Sequence, residues 1–219
     1  MADRVVLFLD YQNIYMSARS LFHPMGVAHW NGQVDPLALG RLLVERSPYD
    51  RELTGVRIYR GIPDSTKDPK GYGACQRQIA TWAQAPEVEV ISRTLRYPYN
   101  WPAEKPEEKG IDVALAIDFA LMAVRGEYDV GVLMSTDTDL KPALEAVASS
   151  GTARAEVAAW SNPHSYSRRL SIKGRKLWCH WVDENDYPKG RKISDAEMAN
   201  IKIKRNTFHG DWNYEIRPR

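Results

Sequence analysis

Apolar residues fall along this chain in short unbroken runs separated by longer stretches of mixed character. Residues 5–9 (Val-Val-Leu-Phe-Leu) and 130–134 (Val-Gly-Val-Leu-Met) carry no polar side chain. That is the pattern of a strand covered on both faces in a parallel sheet. Residues 55–59, 88–92, 155–159 and 177–182 add further runs of strand length. Helical spacing occupies the gaps, over residues 13–21, 37–44, 71–83, 111–124, 140–149 and, briefly, 165–170. Asp35-Pro36 opens the second of these helices, because aspartate suits the N-cap and proline the first helical position. Helix 111–124 is apolar on most faces and is expected to be buried. Strands alternating with helices predict an α/β fold: a Rossmann-like parallel sheet of about five or six strands with helices on both faces.

Two stretches break this alternation. Residues 95–109 hold Pro98, Pro102 and Pro106, with Tyr97, Tyr99 and Trp101 between them, and read as a loop. A loop of that length is usually functional or mobile. After Asp183 the periodicity fades and basic residues gather, among them Lys189, Arg191, Lys192, Lys202, Lys204 and Arg205. We therefore divide the chain into a domain over 1–183 and a basic, polar C-terminal extension over 184–219. The extension would serve as an RNA arm or, more commonly, as a solvated or docked terminus.

Composition narrows the class without naming a ligand. With 219 residues, 43% hydrophobic and 26% charged, the chain can bury one core of ordinary size. A net charge of +2 argues neither for nor against nucleic acid. Cys75 and Cys179 form no CxxC pair and no zinc-like spacing, so buried free thiols in a reducing compartment are expected. The N-terminus lacks a signal-peptide pattern, and the longest apolar stretch, interrupted by Asp112 and Asp118, is too short to span a bilayer. A cytoplasmic protein with no membrane partner is the expectation.

The chemistry sits where strands end. In an open parallel sheet, ligands bind beyond the carboxyl ends of the strands. Residues 5–9 run straight into Asp10, and residues 130–134 into Ser135-Thr136-Asp137-Thr138-Asp139. Asp112 opens the helix that leads into the second of these strands, which puts its first turn at the same edge. Carboxylates converging there would repel one another. A hard divalent cation such as Mg²⁺ or Mn²⁺ resolves that repulsion and suits phosphodiester hydrolysis. Asn13 would act beside them as a ligand or orienter, and Ser135 and Thr136 would bond a carboxylate or a phosphate. Each acid also has a plainer reading: Asp10 and Asp112 as helix caps, Asp137 to Asp139 as a turn. Asp118 points around the helix from Asp112 and is expected to have a structural or surface role.

Three segments together resemble the motifs of the NYN domain, a family in the PIN-like nuclease superfamily that includes the bacterial LabA-like proteins. They are Phe8-Leu9-Asp10-Tyr11-Gln12-Asn13-Ile14-Tyr15, Lys109-Gly110-Ile111-Asp112-Val113 and Ser135-Thr136-Asp137-Thr138-Asp139-Leu140. The resemblance spans roughly residues 4–182. It implies a PIN-like sheet, a Mg²⁺- or Mn²⁺-dependent site and RNA as substrate. It makes Asp10, Asp112, Asp137 and Asp139 the acidic residues, with Asn13 beside them. Thr136 departs from the family's common Ser-Gly-Asp, and threonine fits there without strain only at negative φ.

An RNA substrate needs cations for phosphates and flat surfaces for bases. Lys109, beside Asp112, is the first candidate for a phosphate contact, followed by Arg60 past the second strand. Lys67, Lys70, Arg93 and Arg96 would extend a basic rim. Tyr97, Tyr99 and Trp101 would stack on bases or, more readily, cover the loop's own small core. The predicted function is a metal-dependent endoribonuclease, with homo-oligomerisation left open. The alternative is a non-catalytic RNA- or nucleotide-binding module on the same scaffold. An aspartyl phosphatase at Asp10 is disfavoured because Gln12 stands where such enzymes place a second aspartate. A dinucleotide-dependent oxidoreductase is excluded, since no GxGxxG follows the first strand.

Overall fold

The computed structural model describes residues 1–23, 25–26, 32–163 and 168–187. Along the chain run β1 (Asp3–Asp10), α1 (Tyr11–Phe22), α2 (Pro36–Glu45), β2 (Arg51–Ile62), α3 (Pro69–Trp82) and β3 (Val88–Thr94). They are followed by α4 (Ile111–Val124), β4 (Val130–Met134), a 3-10 turn (Thr138–Leu140), α5 (Lys141–Ser150), β5 (Arg154–Trp160) and β6 (Cys179–Val182). The strands form one 6-stranded sheet in the order β3-β2-β1-β4-β5-β6, every neighbouring pair parallel. This is the doubly wound order, and its direction reverses between β1 and β4. The crevice at that switch point is where such sheets bind ligands.

The two wholly apolar runs occupy the centre, as their composition requires. Strand periodicity sends Val5, Leu7 and Leu9 to one face of β1, in a core with Tyr11, Ile14 and Ala18 of α1 and Leu39 and Leu43 of α2. Val6 and Phe8 go to the other face, against Leu115 and Phe119 of α4 and Leu144 of α5. Phe8 meets the Phe119 ring edge-on at 5.0 Å between centroids. Helices thus cover both faces of the sheet, as the alternation predicted.

Helix α4 differs from expectation. Ile111, Leu115, Phe119 and Ala123 are buried, but Val113, Ile117, Leu121 and Val124 are 55%, 51%, 44% and 66% exposed. The helix lies in a single outer layer, so only one stripe of it can reach the sheet. Its opposite face, with α5, walls an apolar groove of about 530 Å³ bearing Asp112 and Asp139. Asp118 has the structural role expected of it: its carboxylate accepts from Arg57 at 3.0 Å and from the Tyr59 hydroxyl at 2.8 Å.

Strand β2 starts earlier than its apolar run, at Arg51. Arg51 crosses under the sheet to a buried ion pair with Glu156 of β5 at 2.7 Å, and His180 of β6 meets the same carboxylate at 2.7 Å. Of the short helix expected over 165–170, residues 168–170 are not helical, and 164–167 lie outside the described residues. So does most of 184–219. Cys75 and Cys179 are free and half-buried. Among the described residues no helix is long and apolar enough to cross a membrane.

Candidate carboxylate site at the switch point

Strand register brings the first and third motifs together. Leu9 pairs with Met134, so Asp10 and Ser135 leave adjacent strands side by side. Asp10 caps α1, accepting from the Asn13 backbone N–H at 3.3 Å through Oδ1. Its Oδ2 accepts the Ser135 hydroxyl at 2.8 Å. The same Ser135 oxygen accepts the Asp137 N–H at 3.0 Å, tying Asp137 to Asp10 through one hydroxyl. Asp137 in turn caps the 3-10 turn by accepting from the Asp139 N–H at 3.0 Å. The cap and turn readings of Asp10 and Asp137 are therefore correct as local geometry, and they are what fixes these carboxylates at the edge.

Asn13 and Thr136 form a second tie. Asn13 Oδ1 accepts both the Thr136 N–H, at 2.9 Å, and its hydroxyl, at 3.0 Å. Among the described residues only glycines have positive φ, so threonine is unstrained where the family has glycine. Its hydroxyl serves Asn13.

Asp112 stands in the first turn of α4, whose N-cap is Gly110 at φ 75 with no side-chain capping bond. A left-handed N-cap calls for glycine. Asp112 is therefore not a cap. It is half-buried at the groove with the exposed Asp139.

Electrostatics mark Asp10 as the centre. It is only 8% exposed, and no cationic side chain among the described residues pairs with it. Burial pushes its pKa up to about 6, with Glu108 and Asp137 adding to the rise and the bonds from Ser135 and Asn13 opposing it. Glu108 is a neighbour that motif reading missed. Burial raises its pKa too, and Asp112 raises it further, while the Gly61 N–H and Arg60 act the other way.

The substrate-facing candidates divide. Lys109 is exposed at the entry to α4. Arg60 is not at the rim. It is 8% exposed, its guanidinium donates to Gln78 Oε1 at 2.6 Å and to Cys75 Sγ at 2.9 Å, and it lies over the rings of Tyr11 and Trp82. The end of a strand can face inward under a helix, and α3 covers this one. Ser135 is buried and committed to Asp10, and Thr136 to Asn13, so neither hydroxyl points to a phosphate. In the loop, Tyr97 packs edge-on to Trp101 at 5.0 Å while Tyr99 stands fully exposed.

The donors suit a hard ion, being carboxylate oxygens around a buried negative charge that lacks a counter-ion. Among the described residues no three carboxylate, imidazole or thiolate groups surround one point. Mg²⁺ needs no such cage, because it keeps several waters and is held by one or two carboxylates with substrate phosphates. Asp10 has Asp137 as its acidic neighbour and Asp112 shares the groove with Asp139, so these are the residues that would contribute oxygens to such an ion.

A doubly wound parallel sheet with carboxylates at its switch point is the architecture expected of a PIN-like domain, though not of that class alone. The NYN domain family matches residues 4–171, and the chain belongs to that family. A Rhodopirellula transposase DDE domain matches residues 172–218, mostly outside the described residues. No curated protein matches the chain. A solved structure, a protein of unknown function from Vibrio parahaemolyticus, is similar at 17% identity with a TM-score of 0.52, over 85% of this chain and 96% of that one. At that identity the likeness is one of fold.

Proposed function

We propose that this protein is a metal-dependent ribonuclease that hydrolyses RNA phosphodiester bonds at the switch-point crevice. The observation that carries this reading is Asp10: a buried carboxylate at the strand-end edge, flanked by Asp137 and Glu108 and without a cationic partner. A fold tolerates a buried uncompensated charge at a functional site more readily than in a plain core. Mg²⁺ or Mn²⁺ bound there would supply a Lewis acid for the phosphate and acidify a water. Ser135 holds the Asp10 carboxylate in place, and Asn13, anchored by Thr136, fixes the third-motif loop. Lys109, exposed at the entry to α4, would meet a phosphate of the incoming strand.

The test is cleavage of an unstructured RNA with Mg²⁺ or Mn²⁺ by the full chain and by Asp137→Asn. Metal-dependent cleavage by the former alone is expected, and equal products from both would remove the mechanism. One observation favours the second reading, a non-catalytic RNA- or nucleotide-binding module: among the described residues no three carboxylate, imidazole or thiolate groups come together to hold a metal ion. RNA binding without turnover across both metals would establish it.

A further inference from the structure

We propose that the loop entering β6, together with Tyr49 and Trp178, is a docking surface for single-stranded RNA, separate from the carboxylate edge. The inference rests on RNA being the substrate, the reading given above. It draws on a charged segment and two aromatic rings that the carboxylate site does not use.

Charge is segregated in this part of the chain. Over the whole sequence 30 Lys and Arg balance 28 Asp and Glu, yet residues 157–182 hold five basic residues and no acidic one. The five are Arg168, Arg169, Lys173, Arg175 and Lys176, and all are exposed. The apolar residues among them fix that orientation: Leu170, Ile172 and Leu177 are buried in the core on the α4–α5 side of the sheet. Ile172 and Arg175 form an antiparallel bridge around Gly174, whose φ of 76 suits only glycine, and Lys173 stands at the tip. Arg169 donates to the Leu177 carbonyl at 3.3 Å, and Arg175 donates to the Ala148 carbonyl near the end of α5. The turn is thus held against the domain. Among the described residues none of the five cations forms an ion pair. Like charges this close repel one another, and a bound polyanion relieves the repulsion.

Two rings stand where the loop enters β6. The Val157 N–H donates to the Trp178 carbonyl at 3.0 Å, which fixes the backbone just before the strand. Trp178 is 47% exposed and Tyr49 50%, and the rings meet edge-on at 6.3 Å. The guanidinium groups of Arg51 and Arg154 lie over the Tyr49 ring at 4.9 and 5.4 Å. Arg51 is locked by Glu156, so the tyrosine has a fixed support. Exposed, held rings beside unpaired cations match a single strand, which offers phosphates to the cations and unstacked bases to the rings. A duplex keeps its bases stacked and offers the phosphates alone.

This surface lies at the start of β5 and β6, whereas Asp10 ends β1. Register puts Val5, Val130 and Arg154 at one level, and Asp10 lies five residues further along. With the strand spacings between β1 and β6 added, the separation is about 20 Å. RNA held here reaches the carboxylates only if it is long enough to follow the β6 edge.

The experiment is binding of a fluorescein-labelled oligouridylate of about 20 nucleotides, longer than one single-strand site needs. Anisotropy is read over a range of salt concentrations, with a chelator present so that nothing is cut. Arg168→Gln, Lys173→Gln and Lys176→Gln combined should weaken binding about tenfold or more and lower the salt slope by about 2, at about 0.7 per phosphate contact. Trp178→Ala leaves every cation in place. It should weaken the single strand about fivefold or more and leave duplex RNA unaffected. Trp178→Leu, which keeps an apolar group against Tyr49, should act likewise if alanine lowers the melting temperature. Wild-type affinity and slope in the triple variant would overturn the surface. So would equal losses for duplex and single strand in the Trp178 variants, or wild-type binding to phosphatidylglycerol vesicles and not to the oligouridylate. A wild type that binds RNA in this way but cuts none with Mg²⁺ or Mn²⁺ would overturn the nuclease reading alone.

Discussion

Ser135 and Asp10 lie 125 residues apart in the chain and meet at 2.8 Å, hydroxyl to carboxylate, at the end of adjacent parallel strands. That one hydroxyl both donates to Asp10 and accepts from the Asp137 backbone. It makes the first and third motifs one unit.

Ser135→Ala should therefore harm more than a buried serine ordinarily does. Asp10 loses the donor that opposes its raised pKa, and the Asp137 N–H loses its acceptor. Leaving buried polar groups unpaired costs about 1–3 kcal/mol. Urea unfolding should show a loss of that size, together with weaker Mn²⁺ binding. A variant as stable as wild type would mean that water replaces the hydroxyl at no cost.

Thr136→Gly restores the residue common in the family and should nonetheless destabilise this protein. The position does not require positive φ, so glycine brings only entropy loss, about 0.5–1 kcal/mol. It also removes the hydroxyl bond to Asn13, a further loss of about 0.5–1.5 kcal/mol. A gain in thermal stability would show that the loop is strained after all.

The central sheet was legible because β1 and β4 are apolar without interruption, and only a doubly covered strand reads that way. Asp10, Asp137 and Asp112 were legible because strand ends and helix starts fix where they emerge. Glu108 was not, since Glu107 and Glu108 look alike in a charged, proline-rich stretch, and only the Arg96–Glu107 backbone pairing separates outward from inward. Arg60 misled for the related reason that sequence places a residue at a strand end without saying which side it faces. The Arg51–Glu156 pair joins β2 to β5, with β1 and β4 between them, and no local pattern encodes such a contact.

Helix α4 misled by composition, and its orientation can be checked directly. Leu115 is fully buried and Ile117 is 51% exposed, although both sit in the same apolar helix. Leu115→Ala should cost about 2–5 kcal/mol. Ile117→Gln should change stability by about 0.5 kcal/mol or less, as surface substitutions do. Equal losses in chemical denaturation would mean that the outer face of α4 is covered in solution.

The buried charge of Asp10 should be visible as a pH-dependent penalty in metal-free protein. Its pKa in the fold is about 6 against an ordinary 3.8, so the folded chain holds the proton more tightly than the unfolded one. The stability this confers is fully present below pH 3.8 and is lost as pH rises through about 6. Ionised Asp10 then costs up to about 3 kcal/mol, since each tenfold change in proton affinity is worth about 1.4 kcal/mol. Asn at position 10 keeps the acceptor for Asn13 N–H and never ionises. In the presence of a chelator, Asp10→Asn should match wild type near pH 4 and become the more stable protein between pH 6 and 8. Adding Mn²⁺ should stabilise wild type and leave the variant unmoved, because binding to the folded state alone adds its free energy to folding. The same substitution should abolish cleavage, so stability and activity would move in opposite directions at one residue. Denaturation curves that stay parallel for the two proteins from pH 4 to 8 would show that Asp10 is hydrated or paired in solution, and the argument for a cation at this edge would lose its principal support.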